Sequence, residues 1–366
     1  MKNIDLKEKT TMRKFSIRKA ACALLAALAV VCASCGNQNA PAQTTTAAPQ
    51  PADTTAAAPS GSLTFPVTIK AGYSTSEEDP RGVVLKAFKE TVEKETNGDV
   101  IIEIHPAGEL GSDADLIKGI IDGNVDMTVS SAGNFAQYAT KIGVSALPFL
   151  FSDFDSAWKF VDSDIMQNIN ADLEPFNMHV LAYFDNGFRC VTTSSKPVNT
   201  VADMEGLNIR TPENQIVMET MSALKAKPQS FPFAELKEAL KNGTFDAQEN
   251  PIPVIYNNKL YEVQKYLSIT NHSYDAMPLV IRKDIWDGLG EQYQQIIVKA
   301  AKTAETEDRK LVKQQTSDFV DKLKAEGMEV VYPDLAPFKE ATAGVMDVFE
   351  SIYGEELINS VKTMIK

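Results

Sequence analysis

From Phe65 to Val129 the chain alternates between two hydrophobic periods, and few architectures accept that alternation. Phe65-Pro66-Val67-Thr68-Ile69-Lys70-Ala71-Gly72-Tyr73 reads as a strand, Arg81 to Glu95 as an amphipathic helix ended by Asn97-Gly98, and Asp99 to Ile104 as a second strand. After Gly108-Glu109-Leu110-Gly111, Ser112 caps a helix running to about Asp122, and Val125 to Val129 is a third strand. Strands separated by helices at this spacing require an α/β fold with a largely parallel sheet covered on both faces. A chain of 366 residues has room for two such lobes, each with its own core.

The rest of the chain supplies the second lobe. Met178 to Phe184 and Phe188 to Thr192 read as strands that cross into it. It would hold the Arg210 strand, helices over Glu213–Leu224 and Ala234–Asn242, and a strand over Phe245–Gln248, with a return near Asn271–Ile281. Glu291 to Glu326 has apolar residues at helical spacing and no Pro or Gly, which predicts about 50 Å of helix running along both lobes. The first lobe is expected to take residues 63–187 with about 275–312, and the second 188–274 with about 313–366.

Residues 1–62 are different material. Basic residues crowd the first nineteen positions, Ala20 to Ser34 is uncharged, and Cys35-Gly36 follows, the pattern of a secretion signal. That run is short for a membrane span. Met12-Arg13-Lys14 offers a second, more typical start. Ala33-Ser34-Cys35-Gly36 resembles a bacterial lipobox, with Cys32 where Leu is usual, so Cys35 is the expected lipidation site and membrane anchor; a plain cleaved signal is the alternative. Residues 37–62 are nearly all Ala, Pro, Thr, Gln, Asn, Ser and Gly, too poor in apolar surface to fold, and read as a tether. Taking the seven basic and two acidic side chains of residues 1–34 from a chain of net charge −13 leaves about −18. Such an acidic protein is no partner for nucleic acid, and any anion site in it must be locally basic. After loss of Cys22 and Cys32 with the signal and acylation of Cys35, Cys190 stands alone and no disulfide framework remains.

One stretch carries recognisable chemistry. In Gly206-Leu207-Asn208-Ile209-Arg210-Thr211-Pro212, apolar and polar residues alternate with the period of a half-buried strand, and Pro212 stops it with Arg210 near its end. Pro251 interrupts the run Gln248-Glu249-Asn250-Pro251, so both polar groups are expected where strands become loops, the usual place for ligands in open α/β sheets. Blander readings stand beside these. Arg210 can be a surface arginine, Arg189 a structural ion pair, Asn250 a turn former, and Phe231 and Phe233 core residues. The segment Ser76-Glu77-Glu78-Asp79-Pro80 is expected to be a solvated loop, with Glu78 a candidate on the cleft rim. His105, His179 and His272 lack metal-ligand spacing, and no nucleophile comes with a base and an orienting acid, so neither a metal, a cofactor nor an enzyme is expected.

From Val67 onward the chain resembles the solute-binding proteins of tripartite ATP-independent periplasmic (TRAP) transporters, in the dicarboxylate-binding branch. The resemblance is carried, in order, by Gly108-Glu109-Leu110-Gly111 with Asp113, Gly123-Asn124-Val125-Asp126-Met127, Ala146-Leu147-Pro148-Phe149, Asp185-Asn186-Gly187-Phe188-Arg189, Gly206-Leu207-Asn208-Ile209-Arg210, Phe233-Ala234-Glu235-Leu236, Asp246-Ala247-Gln248-Glu249-Asn250-Pro251 and Tyr261-Glu262-Val263-Gln264-Lys265. It implies a two-lobed periplasmic-binding-protein-like fold of type II with a hinge, closing over a small organic acid. It also implies delivery to integral membrane subunits. A monomer is the default state, since nothing in the sequence advertises a large apolar interface. The family arginine matching Arg210 pairs with the ligand carboxylate, since a guanidinium grips both oxygens where lysine offers a point charge. Arg189 matches an arginine assisting on the same anion or stabilising closure, Asn250 a carboxylate-binding asparagine, Phe233 an aromatic wall and Asp113 a polar position at the cleft edge. In the sialic-acid branch the positions of Ser131 and Asn134 hold Glu and Arg, so that ligand is not expected; a C4-dicarboxylate or sugar acid is. Ala247 replaces the usual Gly. Competing readings are a binding protein of an ABC importer, a ligand-sensing domain, or an enzyme on the same scaffold.

Overall fold

The computed structural model describes residues 63–365, so the signal, Cys35 and the tether lie outside the described residues. The opening alternation is as the periodicity predicts: β1 (Val67–Gly72), α1 (Pro80–Glu95), β2 (Val100–His105), α2 (Asp113–Asp122) and β3 (Met127–Val129). Ser112 caps α2 by accepting from the Asp115 amide while the Asp115 carboxylate accepts from the Ser112 amide, a reciprocal capping box. Two short helices, α3 (Phe154–Val161) and α4 (Asp164–Asn170), lead to β4 (Met178–Thr193). The second lobe follows as α5 (Val201–Met204), β5 (Asn208–Thr211), α6 (Gln215–Ala223), β6 (Lys227–Ser230), α7 (Leu236–Lys241), β7 (Ala247–Pro251) and α8 (Ile252–Asn257). The chain returns through β8 (Tyr266–Arg282) and α9 (Lys283–Gly288), then runs α10 (Glu291–Ala325), β9 (Glu329–Val331), α11 (Ala336–Tyr353) and α12 (Glu355–Met364). No helix among the described residues is long and apolar enough to cross a membrane.

One sheet of order β2-β1-β3-β8-β4-β7-β5-β6, with β9 on β8, passes through both lobes. Its outer trios are parallel, β2-β1-β3 in the first lobe and β7-β5-β6 in the second, but β4 and β8 run antiparallel to each other through the middle. The sheet is therefore mixed rather than largely parallel, because the chain crosses between lobes and comes back. The two strands expected over Met178–Thr192 are one. Asp185-Asn186-Gly187 looks like a turn in sequence, yet β8 lies alongside it and the ladder absorbs the irregularity as register shifts at Asp185/Gly187 and Arg189/Val191. Gly187 holds φ +101°, a conformation that side chains disfavour.

Each lobe packs apolar side chains on both faces of its part of the sheet. Val84, Phe88, Ile102 and Met127 join one cluster of the first lobe, and Ile117, Phe135, Phe160 and Met166 the other. The second lobe does the same with Leu236, Phe245 and Ile255 on one side and Ile209, Val217 and Met221 on the other. Helix α10 is the predicted spine: Ile297 and Ala301 pack into the first lobe, Phe319 and Leu323 into the second. The C-terminal segment differs from expectation. Phe338 of α11 packs in the second lobe, whereas Val345 and Phe349 of α11 and Ile358 and Val361 of α12 join the first. Residues beyond about 340 therefore pack where the apolar stripe of α11 leads them, and α11 becomes another element that ties the lobes together.

Candidate functional site

Strand β5 aims Ile209 into the second lobe's core and, by its two-residue period, turns Arg210 the other way. Arg210 is only 3% exposed, and its Nε donates to the Phe231 carbonyl at 2.8 Å. The guanidinium carbon lies 5.6 Å from the centre of the Phe233 ring. Its two terminal nitrogens have no hydrogen-bond partner in the protein among the described residues, and it has no ion-pair partner. Of the five arginines in the described chain, the other four, Arg81, Arg189, Arg282 and Arg309, are each paired with a carboxylate. Burial pushes the Arg210 pKa down to about 10, although Glu249 pulls the other way. A buried cation held in this way favours any anion that reaches it.

Two adjoining hollows meet at Arg210. The larger, of about 100 Å³, is lined by Asp113, Asn134, Arg210, Glu213, Ser230 and the Phe231-Pro232-Phe233 wall among others. The smaller, of about 20 Å³, lies against Ser74, Thr75, Arg81, Ser131, Asn186, Arg189, Arg210 and Asn250. Both lobes thus contribute walls.

Arg189 is placed at the site but its donors are committed. Nε and one terminal nitrogen grip Glu249 at 2.5 and 2.8 Å, the other terminal nitrogen donates to Asp275 at 2.5 Å, and Asn250 Oδ1 lies at 3.2 Å. Burial disfavours its charge, but the two carboxylates outweigh that and raise its pKa. Burial alone would raise the Glu249 carboxyl, yet Arg189 and His272, 3.2 Å away, hold it below its ordinary value. The bland reading of Arg189 as an ion-pair residue therefore describes its contacts, and a supporting position on the cavity floor describes its place. Asn250 is not at a turn. It sits inside β7 opposite Cys190, with Nδ2 on Gln248 Oε1 at 2.5 Å. Pro251 is tolerated there because β5 pairs only with Ala247 and Gln248, so no ladder bond on that side reaches it.

From the first lobe, half-buried Asp113 accepts from Ser74 Oγ at 2.9 Å and from Ser130 Oγ at 2.8 Å. Asn134 Nδ2 donates to Ser130 Oγ at 2.9 Å, and Ser131 Oγ donates to Asp275 at 2.9 Å. Glu78 is exposed and lines neither hollow, so the structure does not bring it to the site. Its neighbour Asp79, expected in a solvated loop, is buried. It caps α1 and pairs with Arg81 at 2.9 Å. Arg81 itself, together with Ser74, Thr75 and Asn186, lines the smaller hollow and was not singled out by sequence; Asp79-Pro80-Arg81 at a helix start was the available signal. Across the mouth, the Ser76 amide donates to Asn258 Oδ1 at 2.9 Å, joining the β1–α1 loop to the end of α8. Elsewhere on the same seam Asn214 sits so close to Gly133 that a Cβ there would lie 1.8 Å from its Nδ2. Among the described residues no cluster of His, Cys, Asp and Glu could hold a metal ion.

A two-lobed mixed sheet with an arginine-centred hollow in the seam is the architecture of a solute-binding receptor. The chain matches bacterial extracellular solute-binding protein family 7, DctP, over residues 71–352, and it belongs to that family as a TRAP-type solute-binding protein. It is 36% identical over 298 residues to the 2,3-diketo-L-gulonate-binding periplasmic protein YiaO of Escherichia coli, covering 80% of this chain and 91% of the relative. Its structure is similar to a TRAP periplasmic solute-binding protein of Polaromonas bound to D-erythronate, with a TM-score of 0.79, 33% identity and coverage of 81% and 98% of the two chains. A sugar acid binding protein of Advenella mimigardefordensis in complex with galactonate gives 0.79, 29% identity and coverage of 82% and 98%.

Proposed function

We propose that this protein is the extracytoplasmic receptor of a TRAP transporter, that it captures a small carboxylate-bearing solute, a sugar acid or C4-dicarboxylate, and that it passes the solute to integral membrane subunits. The observation that carries the reading is Arg210: buried, backed by Phe233, and alone among the described arginines without a carboxylate partner. A ligand carboxylate supplies the missing counter-charge. Its other contacts come from the opposite lobe, so binding favours closure, because only the closed form makes both sets. The hinge is assigned to Asp185–Arg189 of β4 and the facing part of β8, where the register shifts gather. The lobes on either side are 63–187 with about 275–312 and 188–274 with about 313–335, α11 being shared and α12 packing with the first. Lipidation at Cys35, followed by the tether of residues 37–62, would hold this receptor at the membrane surface as a monomer.

The test is calorimetric titration of a panel of organic acids against the protein and against Arg210→Ala. Loss of measurable binding in the variant, with an unchanged circular-dichroism spectrum, is the expected result. Near-wild-type affinity in the variant would sink the assignment.

A further inference from the structure

The contents of the larger hollow decide between the two ligand classes just named, and the choice rests on Arg210 holding the ligand carboxylate. The smaller hollow has room for little more than that carboxylate, so the body of the ligand extends into the larger one. There Arg210 is the only cation in the lining, whereas Asp113 and Glu213 are both carboxylates. Asp113 has one serine hydroxyl on each oxygen and no direct ion-pair partner, and its charge acts at a distance on Arg81 and Arg210.

Asn134 adds a second acceptor, and its orientation follows from proton counting. Ser130 has a single hydroxyl proton, which goes to Asp113. Asn134 must therefore offer its amide NH₂ to Ser130, which leaves Oδ1 as the free end. That oxygen is buried and finds no donor in the protein, on a side chain only 5% exposed that lines both hollows. A buried acceptor without a donor is unfavourable until a ligand supplies one. The one local feature that would attract an anion, the N-terminus of α2, already faces Asp113 and Asp115 in its own first turn.

We propose that the site selects a polyhydroxylated monocarboxylate over a dicarboxylate of the same length, with Asn134 and Asp113 reading hydroxyl protons at the end of the ligand remote from Arg210. One ligand hydroxyl donates to Asn134 Oδ1 and another to an Asp113 oxygen. A second carboxylate has no proton to give and meets a like charge.

Matched pairs that differ only at the terminal carbon test this: threonate against tartrate, and gluconate against glucarate, titrated calorimetrically into the protein, Asp113→Asn, Asn134→Asp and Arg210→Ala. The monocarboxylate of at least one pair should bind tighter than its dicarboxylate by about tenfold or more. Asp113→Asn should narrow that ratio severalfold, chiefly by improving the dicarboxylate, and Asn134→Asp should widen it. Equal or tighter binding of the dicarboxylates, still dependent on Arg210, would overturn this inference and leave the carboxylate clamp standing. Binding that survives Arg210→Ala, or no binding of either class, would overturn the clamp and the selectivity together. A ratio unmoved by both Asp113→Asn and Asn134→Asp would remove these residues from the selection.

Discussion

Arg189 and Arg210 lie two strands apart in one sheet, on β4 and β5, and each is 3% exposed. Their surroundings are opposite. Arg189 sits between Glu249 and Asp275, which raise its pKa; Arg210 has an aromatic ring, a carbonyl and an open hollow, and its pKa falls to about 10. Burial alone does not mark a binding site. What separates the two is whether the protein already supplies the counter-charge; that makes one guanidinium part of the scaffold and, on the proposed reading, leaves the other for a solute.

The comparison breaks most visibly through stability. Arg189→Ala leaves two buried carboxylates uncompensated and should destabilise the protein by about 3–5 kcal/mol, read by denaturant unfolding. If it cost no more than a surface substitution, the structural role assigned here would fail. Arg210→Ala should do the reverse, with melting unchanged or slightly raised in the absence of ligand and binding weakened by about 2–5 kcal/mol in calorimetry.

A third effect sharpens the contrast from the crossing strand β4. Burial pushes the Asp185 carboxyl up to about 7, against the Trp158 hydrogen bond at 2.6 Å and the charge of Arg309. A carboxyl with a raised folded pKa favours folding fully below its unfolded value near 4, and that contribution is lost as pH rises through about 7. Asp185→Asn should therefore be close to neutral at pH 4 and stabilising by roughly 2–4 kcal/mol at pH 8, with the difference growing between. A pH-independent difference in thermal melts would count against the assignment. The smallest effect belongs to the cleft mouth: Asn258→Ala removes the bond from the Ser76 amide and should weaken ligand binding by about 1 kcal/mol, with Arg210 contacts untouched.

Much of this was readable in sequence where local chemistry decides the outcome. The Ser112 cap, the 3.6-residue period of α10 and the alternation around Ile209-Arg210 all report structure formed by neighbours in the chain. Reading failed where distant partners decide. The alternative reading of Asn250 as a turn former fails because β7 runs on to Pro251 beside β4 while β5 stops short of it, which nothing local reveals. Asp185-Asn186-Gly187 looked like a break because β8, some ninety residues away, is what carries it through. Asp79 looked solvated because its burial depends on Arg81 folding back and reaching Asn186. Arg210 and Phe233 do line a hollow, as expected of them, whereas Glu78 and the omission of Arg81 show that position after a strand does not say which way a side chain faces.

Both crossing strands are continuous through the seam, α10 lies along β4, and α11 packs into both lobes. A joint made this way is a flexure rather than a pin. If the lobes close as proposed, the rotation falls on the few residues at the register shifts while the flanking ladders stay zipped. A receptor that shuts on such a spring, as proposed, would lose little disorder each time, which would keep most of the attraction of a small anion available as affinity.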